Sequence, residues 1–183
     1  MNKLNTINLK GFDIQFQTQP GVFSKAGLDD GTRLLIDNLE IEDGSLLADL
    51  GSGTGILGIT CALLNPHGHV HLLDDHVRSA KLTKQNIEIN KLRNAEGYLS
   101  DLFSEVDNRT YHQIFSNPPA QMGNDFLEEV TTQSFKHLKE NGILWFVVPH
   151  HLKNVIEKLF QNVFGNCTIV AHGKEHIVLK AKK

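Results

Sequence analysis

From Ser45 to Gly58 the chain reads Ser-Leu-Leu-Ala-Asp-Leu-Gly-Ser-Gly-Thr-Gly-Ile-Leu-Gly, an apolar run that ends in an acid and passes into a glycine-rich turn. That order predicts a buried strand, a tight loop and the start of a helix, which continues over Ile56 to Leu64. Glycines at 51, 53 and 55 carry no Cβ, so backbone N–H groups can approach a ligand closely. The N-terminus of the helix that follows favours negative charge. A nucleotide-like or carboxylate-bearing cofactor belongs at such a turn.

The flanking sequence supplies more strands and helices in alternation. Thr6 to Thr18 alternates apolar and polar residues around Lys10-Gly11, which predicts a hairpin acting as an N-terminal flap. Pro20-Gly21-Val22-Phe23-Ser24 is a turn-rich connection, and Leu28 to Leu39 has helical spacing with Asp29 or Asp30 as N-cap. Beyond the glycine loop, strands are predicted at Val70–Leu73, Ala95–Leu99, Tyr111–Ser116, Ile143–Val148, Thr168–Ala171 and Ile177–Ala181. Helices are predicted at Val77–Leu92, Phe126–Leu138 and Leu152–Phe164. This implies an α/β fold: a doubly wound, seven-stranded, mostly parallel sheet with right-handed crossovers. Its last hairpin places an antiparallel strand at or near one edge.

At 183 residues the chain is expected to be one domain, residues 1–183, with 1–19 as a hairpin extension. Two cysteines, Cys61 and Cys167, argue against a disulfide framework and for a cytoplasmic setting. No apolar run has the length of a membrane span. A net charge of −3 argues against gripping nucleic acid by bulk electrostatics. Lys174, Lys180, Lys182 and Lys183 form the one visible basic group, and they also suit the solvated edge of a strand. His67, His69 and His71 alternate, yet no cysteine or fixed acid completes a tetrahedral set, so no metal is expected.

Strand carboxyl ends share one rim of such a sheet, so Asp49, Asp74, Asp101 and Asn117 should converge there. Asp74 stands roughly twenty residues beyond the glycine loop, where an acid accepts from both ribose hydroxyls of a bound nucleoside. It is preferred to Asp75 because the apolar run leads straight into it. Asp101 is placed to accept from an adenine amino group, with Leu102 and Phe103 flanking the ring. Asn117-Pro118-Pro119 carries the chemistry. The Asn117 side-chain oxygen and the Pro118 carbonyl can take both protons of an exocyclic base amine and aim its lone pair at an electrophilic methyl. Each proline fixes φ and has no N–H, so the carbonyls stay turned outward without a competing donor.

Gly53-x-Gly55-x-x-Gly58 also satisfies the dinucleotide fingerprint, but Asp49, two residues before the first glycine, gives the Asp-x-Gly-x-Gly-x-Gly form typical of S-adenosylmethionine (SAM) enzymes. With these residues in place the chain resembles the class I, Rossmann-like SAM-dependent methyltransferases. More narrowly, it resembles the small-domain ribosomal RNA guanine-N2 methyltransferases. The matching residues are Pro20-Gly21-Val22-Phe23-Ser24, Gly27-Leu28-Asp29, Gly31-Thr32, Asp49-Leu50-Gly51-x-Gly53-x-Gly55, Asp74, Phe103-Ser104-Glu105-Val106 and Ser116-Asn117-Pro118-Pro119. The resemblance implies SAM held by Gly51, Gly53, Asp74 and Asp101, with Asn117 at the methylated nitrogen, and ribosomal RNA or the small ribosomal subunit as partner; Asp49, Ser52, Gly55, Leu102 and Asn117 complete the expected cofactor-binding set. Ser52 replaces a frequent cysteine. The additional N-terminal domain of the two-domain enzymes is not expected here. Ala120 stands where the family has a larger, often aromatic residue, so Phe23 is expected to stack on the target base in its place, with Phe12 and Phe16 as runners-up. Two other readings are a SAM- and RNA-binding module without catalysis and a nicotinamide-dependent dehydrogenase.

Overall fold

The apolar runs assemble into two sheets in a computed structural model that describes residues 4–19 and 28–183. Strands β1 (Leu4–Leu9) and β2 (Phe12–Gln17) form an antiparallel hairpin. Lys10 and Gly11 both have positive φ, 51° and 88°, as a tight two-residue hairpin turn requires. The main sheet contains β3 (Leu46–Leu50), β4 (His69–Asp74), β5 (Ala95–Leu99), β6 (Tyr111–Ser116), β7 (Leu138–Pro149), β8 (Thr168–His172) and β9 (His176–Lys182), in the order β5-β4-β3-β6-β7-β9-β8. Six strands run in one direction. The inserted β9 runs antiparallel to both β7 and β8.

Helices α1 (Asp30–Asn38), α2 (Ile56–Leu64) and α3 (Val77–Ile89) bury one sheet face, and α4 (Asn124–His137) and α5 (Lys153–Phe164) bury the other. The strand order reverses between β3 and its neighbours β4 and β6, which opens a crevice at the carboxyl ends of these strands. That crevice receives the glycine loop. Gly58, one turn into α2, lets the helix approach β4 so closely that a Cβ there would meet Leu72.

Two expectations change. The hairpin is not a flap: Leu9, Ile14 and Phe16 are buried in the core that includes Leu35, Ile36 and Ile56. Its second strand, β2, is also tied to α3 and the residue after it, since Gln17 N–H donates to Asn86 Oδ1 (2.8 Å) and Gln15 exchanges two backbone bonds with the Asn90 amide (3.1 and 2.7 Å). Asn90→Ala is expected to lower folding stability by about 1 kcal/mol, read as a shifted urea midpoint with an unchanged slope. An unchanged midpoint would mean burial alone docks the hairpin. The second change concerns the lysines. β9 is an inner strand, Lys180 Nζ lies 4.7 Å over the Trp145 ring, and Lys183 Nζ donates to the carbonyls of Phe135 and Leu138. These two cations cover protein surface and do not form a strand edge.

Candidate cofactor and active site

The strand β3 ends at Leu50 and the chain turns through Gly51, Gly53 and Gly55, with φ of 74°, 56° and 82°. All three lie in the left-handed region that only glycine enters at little cost. The loop closes mainly on β4. Gly51 and Ser52 N–H donate to Leu73 O (2.8 and 3.1 Å), Gly53 N–H to Asp74 Oδ2 (2.8 Å) and Gly55 N–H to Ser52 O (2.7 Å). The expectation of free loop N–H groups aimed at a ligand is therefore corrected: four of them are taken up within the protein, three by β4 and one inside the turn. Ser52 is buried, with its hydroxyl 3.2 Å from that of Thr83 on α3.

Asp49 closes the first turn of α2 from below, accepting the Gly58 N–H at Oδ2 (2.9 Å). Its carboxylate thus occupies the positive end of the helix that a dinucleotide's pyrophosphate would need. Burial pushes the Asp49 carboxyl up to about 7; the Gly58 bond opposes that push and the nearby Asp74 charge reinforces it. A second anion is unwelcome there, and a cation is favoured.

Asp74, at the end of β4, is buried. Oδ2 accepts from Gly53 N–H and Oδ1 from His76 N–H (2.9 Å), so the acid sets the shape of the loop as well as facing the rim. Asp75 is exposed and bonds the His76 ring at 2.6 Å. Asp101 lies two residues beyond β5 with an exposed side chain, followed by Leu102 at a φ of 49°, a strained left-handed backbone for a branched residue.

Asn117 leaves β6 at the same rim. A pocket lined by Leu28, Asp29, Thr32, Asp49, the loop residues Gly51 to Thr54, Ile56, Leu57 and Asn117 brings it to the glycine loop; Asp74 borders this pocket through Gly53, and Asp101 is not among its lining residues. The Asn117 Nδ2 group donates to Asp29 Oδ1 (3.0 Å) and to Thr32 Oγ1 (2.9 Å). Thr32 in turn donates its N–H to Asp29 Oδ1 (2.9 Å) and its hydroxyl proton to Asp29 Oδ2 (2.6 Å). Asp29 is thus the N-cap of α1 and a partner of Asn117 at once. The sequence left the cap between Asp29 and Asp30, of which the structure selects Asp29, and the second partner was missed. The signal was the matched Asp29 and Thr32 at N-cap spacing, upstream of an asparagine whose amide needs acceptors.

Pro118 is buried, while Pro119 and Ala120 are exposed. Pro119 O accepts from Met122 N–H (3.1 Å), and the Pro118 carbonyl has no hydrogen-bond partner among the described residues. Phe23, with the Pro20 to Ser24 connection, lies outside the described residues. Phe16 is buried in the core and unavailable for stacking, and Phe12 sits beside the hairpin turn. His67 is exposed and pairs with Asp43 at 2.6 Å. His69 and His71 meet Glu96 at the opposite end of β4 from Asp74, and His71 Nδ1 bonds the Tyr111 hydroxyl (2.8 Å). Burial pushes His71 down to about 4.

A seven-stranded sheet of this order, with a glycine loop after its central strand and Asn-Pro-Pro after the next, defines an α/β methyltransferase fold. Residues 13–180 match the methyltransferase small domain family, and the chain belongs to it. It is 36% identical over 184 residues to the uncharacterized protein YbxB of Bacillus subtilis, covering 97% of this chain and 90% of that one. It is 31% identical over 185 residues to ribosomal RNA small subunit methyltransferase C of Vibrio cholerae, covering 99% of this chain and 53% of the relative. The T. thermophilus 16S rRNA N2 G1207 methyltransferase (RsmC), solved in complex with AdoMet and guanosine, matches at a TM-score of 0.90 and 26% identity. That match covers 99% of this chain and 50% of the solved one. The chain therefore spans about half the length of these two rRNA methyltransferases.

Proposed function

We propose that this chain is a cytoplasmic SAM-dependent methyltransferase that acts on an exocyclic base amine, guanine N2 of small-subunit ribosomal RNA, as one domain over 1–183. The observation that carries the reading is the orientation of Asn117, whose two amide protons are held by Asp29 and Thr32 so that Oδ1 is left for a substrate. The likeness to rRNA methyltransferases supports the substrate class.

The pocket's charge suits this cofactor. Asp49 and Asp74 face a cationic sulfonium better than a pyrophosphate, which also disfavours the dehydrogenase reading. Asp74 and Asp101 would hold the ribose and adenine, with Leu102 against the ring and Gly51, Ser52, Gly53 and Gly55 shaping the surface that receives the remainder. When bound, SAM supplies an electrophilic methyl group. The target amine is a poor nucleophile because its lone pair is delocalised into the base. Asn117 Oδ1 and the Pro118 carbonyl accept its two protons, let the nitrogen pyramidalise and aim the lone pair. Pro119 fixes the turn that presents them. No strong base is needed, since the nitrogen sheds its proton to solvent once alkylated.

The test is transfer of labelled methyl from SAM to unmodified small subunits, large subunits and naked RNA, followed by nucleoside mass spectrometry. N2-methylguanosine from the small-subunit RNA is the expected product. Label on another nucleoside would overturn the target, and RNA binding without label would mean a non-catalytic module.

A pH dependence follows from Asp49. The folded chain keeps a proton up to about pH 7 that the unfolded chain releases near its ordinary value of 3.8. Its contribution to stability is therefore full below that lower value and is lost as pH rises through the upper one. SAM affinity should move the other way, rising with pH as the carboxylate ionises beside the sulfonium. Urea denaturation and calorimetry at about pH 5 and about pH 8 check both slopes. Asp49→Asn, which still accepts from Gly58, should flatten them; slopes that persist in that variant would assign them to another group.

A further inference from the structure

We propose that Asp29 and Thr32 are positioning residues that lock the Asn117 amide in one of its two orientations and so select a target atom carrying N–H donors. The inference rests on the assignment of Asn117 to the target amine. An asparagine amide has an oxygen and an NH2 group of nearly the same shape, and which one faces a substrate is decided by what lies behind it. Behind Asn117 lie two acceptors. Asp29 is a carboxylate, whose Oδ1 takes the Asn117 N–H at 3.0 Å. Thr32 has one hydroxyl proton, and it is committed to Asp29 Oδ2 at 2.6 Å, so toward Asn117 it offers only a lone pair, at 2.9 Å.

Flipping the amide would turn Oδ1 onto these two acceptors with no proton between them, and would lose both hydrogen bonds in a part-buried site. Asn117 therefore presents only an acceptor to the pocket. An amine, which brings donors, is received there. A ring nitrogen without a proton or a carbonyl oxygen brings lone pairs and is repelled. The lock is built by α1: the same Asp29 oxygen that takes Asn117 Nδ2 caps the helix through Thr32 N–H, so the first helical turn fixes the amide angle. Thr32 also lines the pocket, and its bearing on the target amine runs through its bond to Asn117.

That indirect route gives a test that a merely structural role would not pass. Single-turnover rates, SAM affinity and melting temperature are measured for the parent, Thr32→Val, Thr32→Ser, Asn117→Ala and the Thr32→Val/Asn117→Ala double variant. Thr32→Val keeps the side-chain shape and the helix cap but removes the lone pair and hydroxyl proton. It is expected to slow transfer by about tenfold, with SAM affinity within about twofold of the parent. Thr32→Ser should restore the rate. In the Asn117→Ala background Thr32→Val should have no further effect on rate. Should Thr32→Val fail to fold, Asp29→Asn serves instead: its amide donates to Thr32, frees the Thr32 proton to point at Asn117, and should slow transfer without adding to Asn117→Ala. A parental rate in Thr32→Val, or losses that multiply in the double variant, would overturn the lock while leaving the role of Asn117 intact. A parental rate in Asn117→Ala would overturn both.

Discussion

Asn117→Ala should reduce methyl transfer by about a hundredfold or more while SAM affinity stays near the parental value, because the lost acceptor acts chiefly on charge developing in the transition state. The fold should survive the change. Asp29 still caps α1 through Thr32 N–H and still takes the Thr32 hydroxyl proton, so the first turn of the helix loses no internal partner when the amide is removed. Calorimetry for the cofactor and single-turnover transfer to RNA separate the two effects. Parental turnover would mean that the target nitrogen is positioned elsewhere and that Asn-Pro-Pro is only a rigid turn.

For Asp74→Ala the expected loss is in binding: SAM should weaken by roughly one to two decades, the worth of hydrogen bonds to a charged acceptor. Because the carboxylate also accepts from Gly53 and His76 N–H, its removal leaves two backbone donors without their partner and loosens the loop. A fall in melting temperature should therefore accompany the loss of affinity. Asp75→Ala is the control, since that side chain is exposed and, among the described residues, bonds the His76 ring. Unchanged affinity in Asp74→Ala, with the loss appearing in Asp75→Ala, would reassign the ribose to the second acid.

The sheet was legible because each strand is a short apolar run closed by an acid, a polar residue or a turn, and length and flanking turn residues together with period separate those runs from the helices. The rim followed from topology. Asp49, Asp74 and Asn117 come to the carboxyl ends of adjacent strands although they are far apart in the chain. Other features were not legible, for physical reasons. Periodicity says nothing about where a buried face docks, so Ile14 and Phe16 read equally well as a flap or as core. Glycine spacing reports backbone freedom and not which acceptor each N–H finds, and here Leu73 O and Asp74 take three of them. Of the pairing of Asn117 with Asp29, 88 residues apart, local pattern shows only the cap half, Asp29 with Thr32.

The closed hydrogen bonding of the glycine loop bears on how natural or engineered variation in this chain should be interpreted. Gly51, Gly53 and Gly55 hold backbone angles that side chains resist. A saturation library scored for soluble expression would therefore mark these positions as intolerant even in a protein that had lost all chemistry. Their retention records that the fold persists. Position 117 has a different standing: its side chain is not needed to cap α1 or to close the loop, so a library scored for expression alone is expected to tolerate substitution there.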